Sequence, residues 1–167
     1  MNKMASTAGT SLLIVWHSRT GASHQMAAAA AAAGGHGTCL LPAHEAQPRH
    51  VLGAAALLFA CPENLATMSG IMKEFFDRCY YPVLGRIEGR AYATMVAAGS
   101  DGTGATRQID RIATGWRLKR IAEPVIINCD AQDAGAILAR KELDDDQLDP
   151  CRELGAAMAE GVRLGIF

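Results

Sequence analysis

Four short apolar runs, separated by segments of helical character, constrain this chain more than any other feature. Residues 11–16 (SLLIVW), 54–60 (AAALLFA), 92–98 (YATMVAA) and 124–128 (PVIIN) are apolar almost throughout rather than alternating. Strands read this way when both faces are buried, as in a parallel sheet covered by helices. Residues 38–41 offer a further short strand. Between the strands fall a helix over 25–33, carried by seven consecutive alanines and stopped by Gly34-Gly35, and a helix over 69–80 with apolar residues at 71, 72, 75, 76 and 79. An amphipathic helix is expected over 103–118 and a last one over 149–164, while 42–50 reads as irregular or briefly helical. The order β-α-β-(α)-β-α-β-α-β-α predicts an α/β fold: three layers, doubly wound, with a five-stranded parallel sheet rather than the six strands of a dinucleotide fold. The 167 residues make one domain, 1–167, with residues 1–10 as a loose tail.

Composition narrows the function classes. The net charge of −1 excludes a strongly basic nucleic-acid binder and argues against a strongly acidic carrier that steers towards cationic partners. Thirty-one alanines mean that the core rests on few large side chains. Cysteines at 39, 61, 79, 129 and 151 have no zinc-ligand spacing and fit reduced thiols. No metal site is expected. No apolar stretch is long enough for a signal segment or a membrane span, so the expectation is a cytoplasmic protein without a membrane or nucleic-acid partner.

In an open doubly wound sheet, ligands bind beyond the carboxyl ends of the strands. Three loops occupy that position. The first is His17, Ser18, Arg19, Thr20, Gly21, Ala22 and Ser23, running into the alanine helix. Its hydroxyls, its glycine and the helix N-terminus suit a phosphate monoester, though not as a Walker loop. An ordinary helix start, capped by Thr20 or Ser23, is the competing reading. The second loop spans 61–70. There Pro62 fixes the strand exit, Asn64 and backbone amides suit the polar edge of a heterocycle, and Leu65 and Met68 suit its face. Thr67 or Ser69 would cap the next helix. The third loop, Gly99, Ser100, Asp101, Gly102, Thr103 and Gly104, fails the dinucleotide fingerprint but makes a reasonable wall for a flat ring. His17 and His24 flank the cradle, either as phosphate contacts or as surface residues. Arg107, Arg111, Arg117, Lys119 and Arg120 form a solvated basic stretch or, less simply, a site for a nucleotide phosphate. Residues 144–146 read as a solvated turn.

The stretches HSRTGASHQMA, CPENLATMSGIMKEFFDR and AAGSDGTGATRQ together resemble the flavodoxin-like superfamily, most nearly its NAD(P)H-dependent FMN reductases and quinone oxidoreductases. The resemblance runs from Ser11 to Asn128 and implies the strand order 2-1-3-4-5. It implies that the first loop (His17 to Ser23) holds the FMN phosphate, with Ser18, Thr20, Gly21 and Ser23 matching the family's phosphate loop. It also implies that Pro62, Glu63, Asn64, Leu65 and Met68 meet the flavin, and that Gly99, Ser100, Asp101 and Gly102 lie beside the isoalloxazine. NADH or NADPH would be the co-substrate and a quinone or similar small molecule the acceptor, with hydride delivered to flavin N5 in a ping-pong scheme. No side chain is implied as a catalytic acid or base. The alternative is an FMN-binding electron-transfer module reduced by a partner protein. The sequence lacks the aromatic that family members often stack on the flavin, so either Leu and Met pack the ring or a neighbouring chain of a homodimer or homotetramer closes the site. Cys61, in place of a small residue, is a buried filler or a redox group. A receiver domain and a low-molecular-weight phosphatase are excluded, since the chain lacks the acidic residues of the one and the Cys-x5-Arg of the other.

Overall fold

The protein is described from a computed structural model covering residues 10–167. Of the expected tail, residues 1–9 lie outside the described residues and Thr10 already belongs to the first strand. The central strands are the three strongest apolar runs: β1 (Thr10–Trp16), β3 (Ala54–Asn64) and β5 (Ala91–Ala98). With β2 (Thr38–Pro42), they pair in parallel in the order β2-β1-β3-β5.

The fifth position is filled by two pieces rather than the single expected strand. β6 (Lys119–Arg120) pairs with Ala91 and Tyr92, and β7 (Val125–Asn128) pairs with Met95 to Ala98 of the same strand, both in parallel. The break spans residues 121–124 and includes Pro124, which has no N–H to donate to a ladder. The order 2-1-3-4-5 is thus present, with its last strand interrupted. A further two-residue strand, β4 (Thr67–Met68), folds back antiparallel on the end of β3.

Helices cover both faces. α2 (Pro48–Gly53), α3 (Gly70–Val83) and α4 (Thr103–Gly115) lie on one side. There Phe59, Phe75, Phe76 and Trp116 pack ring against ring, with Phe59–Phe76 and Phe76–Trp116 centroids 5.0 and 5.5 Å apart. α1 (Ala22–Gly34) and α6 (Asp145–Arg163) cover the other side, which is built from alanines, methionines and aliphatic residues such as Leu12, Ile14 and Leu58. Here the alanine tract has a packing reason beyond helix propensity. A Cβ added at Gly155 of α6 would stand 2.1 Å from the Ala30 carbonyl of α1, so the two helices touch at backbone distance.

Several boundaries differ from the expected ones. α3 continues through Pro82 to Val83, beyond the expected end at residue 80, and α4 stops at Gly115, before the left-handed Arg117 (φ 57°). α6 begins four residues earlier than expected. Asp144 accepts from the Gln147 N–H at 2.8 Å, and the Gln147 side chain accepts from the Asp144 N–H at 3.1 Å. Residues 145 and 146 are therefore the first turn of a helix, where their charge suits the dipole, rather than a solvated turn. A short helix, α5 (Ala134–Leu138), was not expected at all. No helix among the described residues is long and apolar enough to cross a membrane.

Candidate functional site

The carboxyl ends of β1, β3 and β5 open onto a cavity of about 250 Å³. Its walls come from all three expected loops and from a fourth segment. In the first loop, the His17 N–H extends the ladder by donating to the Ala60 carbonyl at 2.9 Å. The Ser18 hydroxyl then accepts from the Gly21 N–H at 3.0 Å and turns the chain back. Gly21 adopts the left-handed conformation (φ +100°) and caps α1 without any side-chain acceptor. The reading of Thr20 or Ser23 as a side-chain cap is therefore corrected. Ser23 sits in the first turn and is one of the residues lining the cavity, 1 % exposed, with its Oγ unpartnered. A buried hydroxyl without a partner is costly, and here it lies beside the positive end of a helix that offers its first-turn amides to the same space.

The second and third loops are tied together by one side chain. The Glu63 carboxylate accepts from the Gly102 N–H at 2.9 Å and from the Ala105 N–H at 3.0 Å, capping α4 from a different loop. Glu63 lines the cavity, but its charge is engaged by the helix. Close approach completes the joint: a Cβ at Gly104 would lie 2.0 Å from the Ala66 carbonyl. The tip of the β3–β4 hairpin is Leu65-Ala66, with both residues at positive φ (53° and 61°), the geometry that normally selects Asn-Gly. Leu65 stands 98 % exposed on the cavity rim. Gly99 accommodates the third loop against the Ala131 carbonyl, 2.5 Å from where a Cβ would be.

Of the expected site residues, Ser18, Arg19, Thr20, Ala22, Ser23, Pro62, Glu63, Asn64, Leu65, Gly99 and Ser100 line the cavity. Five do not. Met68 is turned into the core by the strand alternation of β4, and its N–H donates to the Gln108 side chain at 2.9 Å. Asp101 is exposed and accepts from the Thr103 hydroxyl, and Gly102, left-handed at φ +94°, opens α4, so both frame the helix start. Gly21 faces an adjoining recess. His17 is half-buried, its Nδ1 2.8 Å from the Ser69 hydroxyl at the head of α3. Burial, reinforced by His44, lowers its pKa from the ordinary 6.5 and so favours the neutral ring.

The fourth wall comprises Cys129, Ala131, Ile137 and Lys141. It is fastened over the first loop by the backbone: the Lys141 N–H donates to the Thr20 carbonyl at 2.8 Å, and its carbonyl accepts from the Gln25 side chain at 2.8 Å. Gln25 also accepts from the Leu143 N–H at 3.0 Å. The Lys141 ammonium caps α5, donating to the carbonyls of Ala136 and Ala139, each at 2.6 Å. Ala66, Ala97 and Ala98 complete the surface. Among the described residues, no aromatic side chain lines the cavity. Cys61 is fully buried, and burial pushes its thiol up to about 12, which makes it a core filler rather than a redox group. Among the described residues, no cluster of His, Cys, Asp and Glu is grouped to hold a metal.

No family model matches the chain. A flavodoxin of Aquifex aeolicus is 28 % identical over 162 residues, covering 92 % of this chain and 87 % of that protein. A flavodoxin structure from the domain Archaea superposes with a TM-score of 0.73 at 16 % identity, over 92 % of this chain and 99 % of that one. The fold is flavodoxin-like. A protein from P. pentosaceus described as an NADPH-quinone reductase shares it with a TM-score of 0.61 at 14 % identity, over 89 % of this chain and 97 % of that one.

Proposed function

We propose that the cavity binds the FMN group and that the protein is a redox flavoprotein. The observation that carries this reading is the unpartnered, buried Ser23 hydroxyl at the N-terminus of α1, which has no side-chain cap. Together with Thr20 and Ser18, it makes a donor set suited to a phosphate dianion, and Gly21 keeps the backbone clear of it. Pro62, Asn64 and Leu65 on one side and Gly99 and Ser100 on the other would hold the ring. When bound, a flavin supplies hydride acceptance and one- or two-electron delivery; the protein supplies orientation and electrostatics. The relative named flavodoxin supports the same ligand class.

The finer reading is NAD(P)H-dependent reduction of a quinone-like acceptor. It is supported by cavity walls without an aromatic lid, which leave room for a flat co-substrate, and by a net charge of −1, which gives little steering towards a charged protein partner. The resemblance to flavodoxins favours a second reading, an electron-transfer module reduced by another protein.

The deciding experiment is a spectrum of the purified protein before and after soaking with FMN and desalting, followed by NADH and NADPH oxidation with a quinone. Retained flavin bleached by either nucleotide supports the reductase. Retained flavin bleached only by dithionite supports the module. No retained flavin overturns both.

A further inference from the structure

The connection from β7 to α6 forms a wall of the cavity with little to hold it there. Among the described residues, none from Gln132 to Pro150 is buried, and α5 lies within that stretch. Yet the connection supplies Ile137 and Lys141 to the cavity wall. Its start is fixed to the third loop, where the Cys129 N–H donates to the Ala98 carbonyl at 2.7 Å and the Ala131 N–H to the Gly99 carbonyl at 2.9 Å. Beyond Ala131 its side chains serve the connection itself: Asp133 caps α5, and the Lys141 ammonium donates back to α5 carbonyls. Among the described residues, three hydrogen bonds tie residues 132–143 to the rest of the molecule. One is the Lys141 N–H donating to the Thr20 carbonyl at 2.8 Å. The other two belong to Gln25. Its Nε2 donates to the Lys141 carbonyl at 2.8 Å, and its Oε1 accepts from the Leu143 N–H at 3.0 Å. The same Nε2 donates to the Gly21 carbonyl at 3.0 Å, so the amide is also fixed to the first loop.

A segment that buries nothing and is tied by few bonds opens at low cost. An amide is the side-chain group that can donate to one backbone carbonyl and accept from a nearby N–H at once. We infer that Gln25 is a positioning residue for ligand retention: its amide latches the strap 132–143 over the first loop, and the opening of that latch sets the rate at which a bound ligand leaves. This rests on the functional reading above, because it takes the phosphate end of the flavin to lie at the first loop. Gln25 is not among the residues that line the cavity, so it acts on the ligand through the strap.

The test uses the full chain and two variants. Gln25→Met keeps the size and the helix propensity but has no amide. Gln25→Glu keeps the length and the acceptor for Leu143 but has no N–H for the Lys141 carbonyl. Stopped-flow flavin fluorescence gives the association and dissociation rates of FMN, and hydrogen exchange of the ligand-free proteins reads the strap directly. Both variants should release FMN at least about tenfold faster, while association changes by less than about threefold. Without ligand, the Lys141 and Leu143 amides should exchange at least about tenfold faster than in the wild type, with the β1 amides unchanged. Wild-type dissociation in either variant overturns the inference and leaves the FMN reading intact, as does a change confined to association. Faster exchange throughout β1 also overturns it, because Gln25 would then support the fold rather than the strap. Failure of the wild type to bind FMN overturns both.

Discussion

At the residue scale, Ser23 separates binding from stability. Its hydroxyl is buried and unpaired without a ligand, so Ser23→Ala should leave the apoprotein unchanged or more stable by up to about 1 kcal/mol, while FMN affinity falls by about 1–3 kcal/mol. Urea unfolding and flavin titration read the two effects, and unchanged affinity would place the phosphate elsewhere. His17 gives a prediction in pH. Its folded pKa lies below its ordinary 6.5, so folding favours the neutral ring. Stability owed to this group is fully present above pH 6.5 and declines as pH falls from there, until the folded ring is itself protonated. The wild type should therefore lose more stability between pH 7.5 and 5 than His17→Asn does. Equal losses would show that His17 is not the group responsible; His50, also depressed by burial, contributes to both proteins alike. Ser23 was legible because a hydroxyl-rich loop follows an apolar strand. Lys141 was not, because its hold on the first loop runs through its own N–H and carbonyl, which any residue type has.

At the element scale, the β3–β4 hairpin carries strain that its sequence does not advertise. Leu65 and Ala66 both occupy the left-handed region, which costs an ordinary residue about 1–2 kcal/mol. Ala66→Gly should thus stabilise the protein by about 1 kcal/mol in thermal or urea unfolding. No gain would mean that the hairpin tip relaxes in solution. The opposite sign is expected where α1 meets α6. Gly155→Ala places a methyl against the Ala30 carbonyl, so despite alanine's better helix propensity it should cost about 1–3 kcal/mol, visible as an earlier urea midpoint. Legibility follows the source of each element's stability. β1, β3 and β5 are buried on both faces and so write long apolar runs into the sequence. β4 and β6 have two residues each and α5 has five, all fixed by neighbours, so no periodicity can mark them.

At the scale of the whole molecule, the two faces of the sheet are built differently. Rings fill one side and backbone-close small residues the other, and the cavity opens at the carboxyl edge between them. Among the described residues, no aromatic side chain lines the cavity, and Leu65 projects from the rim almost wholly into solvent. A leucine this exposed is stabilised by whatever covers it, because burying such a side chain gains about 1.5–3 kcal/mol. In a homo-oligomer, the neighbouring chain would cover the rim and supply the missing face of the site. Light scattering of the flavin-loaded protein should then give two or four times the 17.6 kDa of one chain. Leu65→Ser should lower both the oligomer fraction and the flavin affinity. A 17.6 kDa particle with flavin firmly bound would show that the cavity is complete within a single chain.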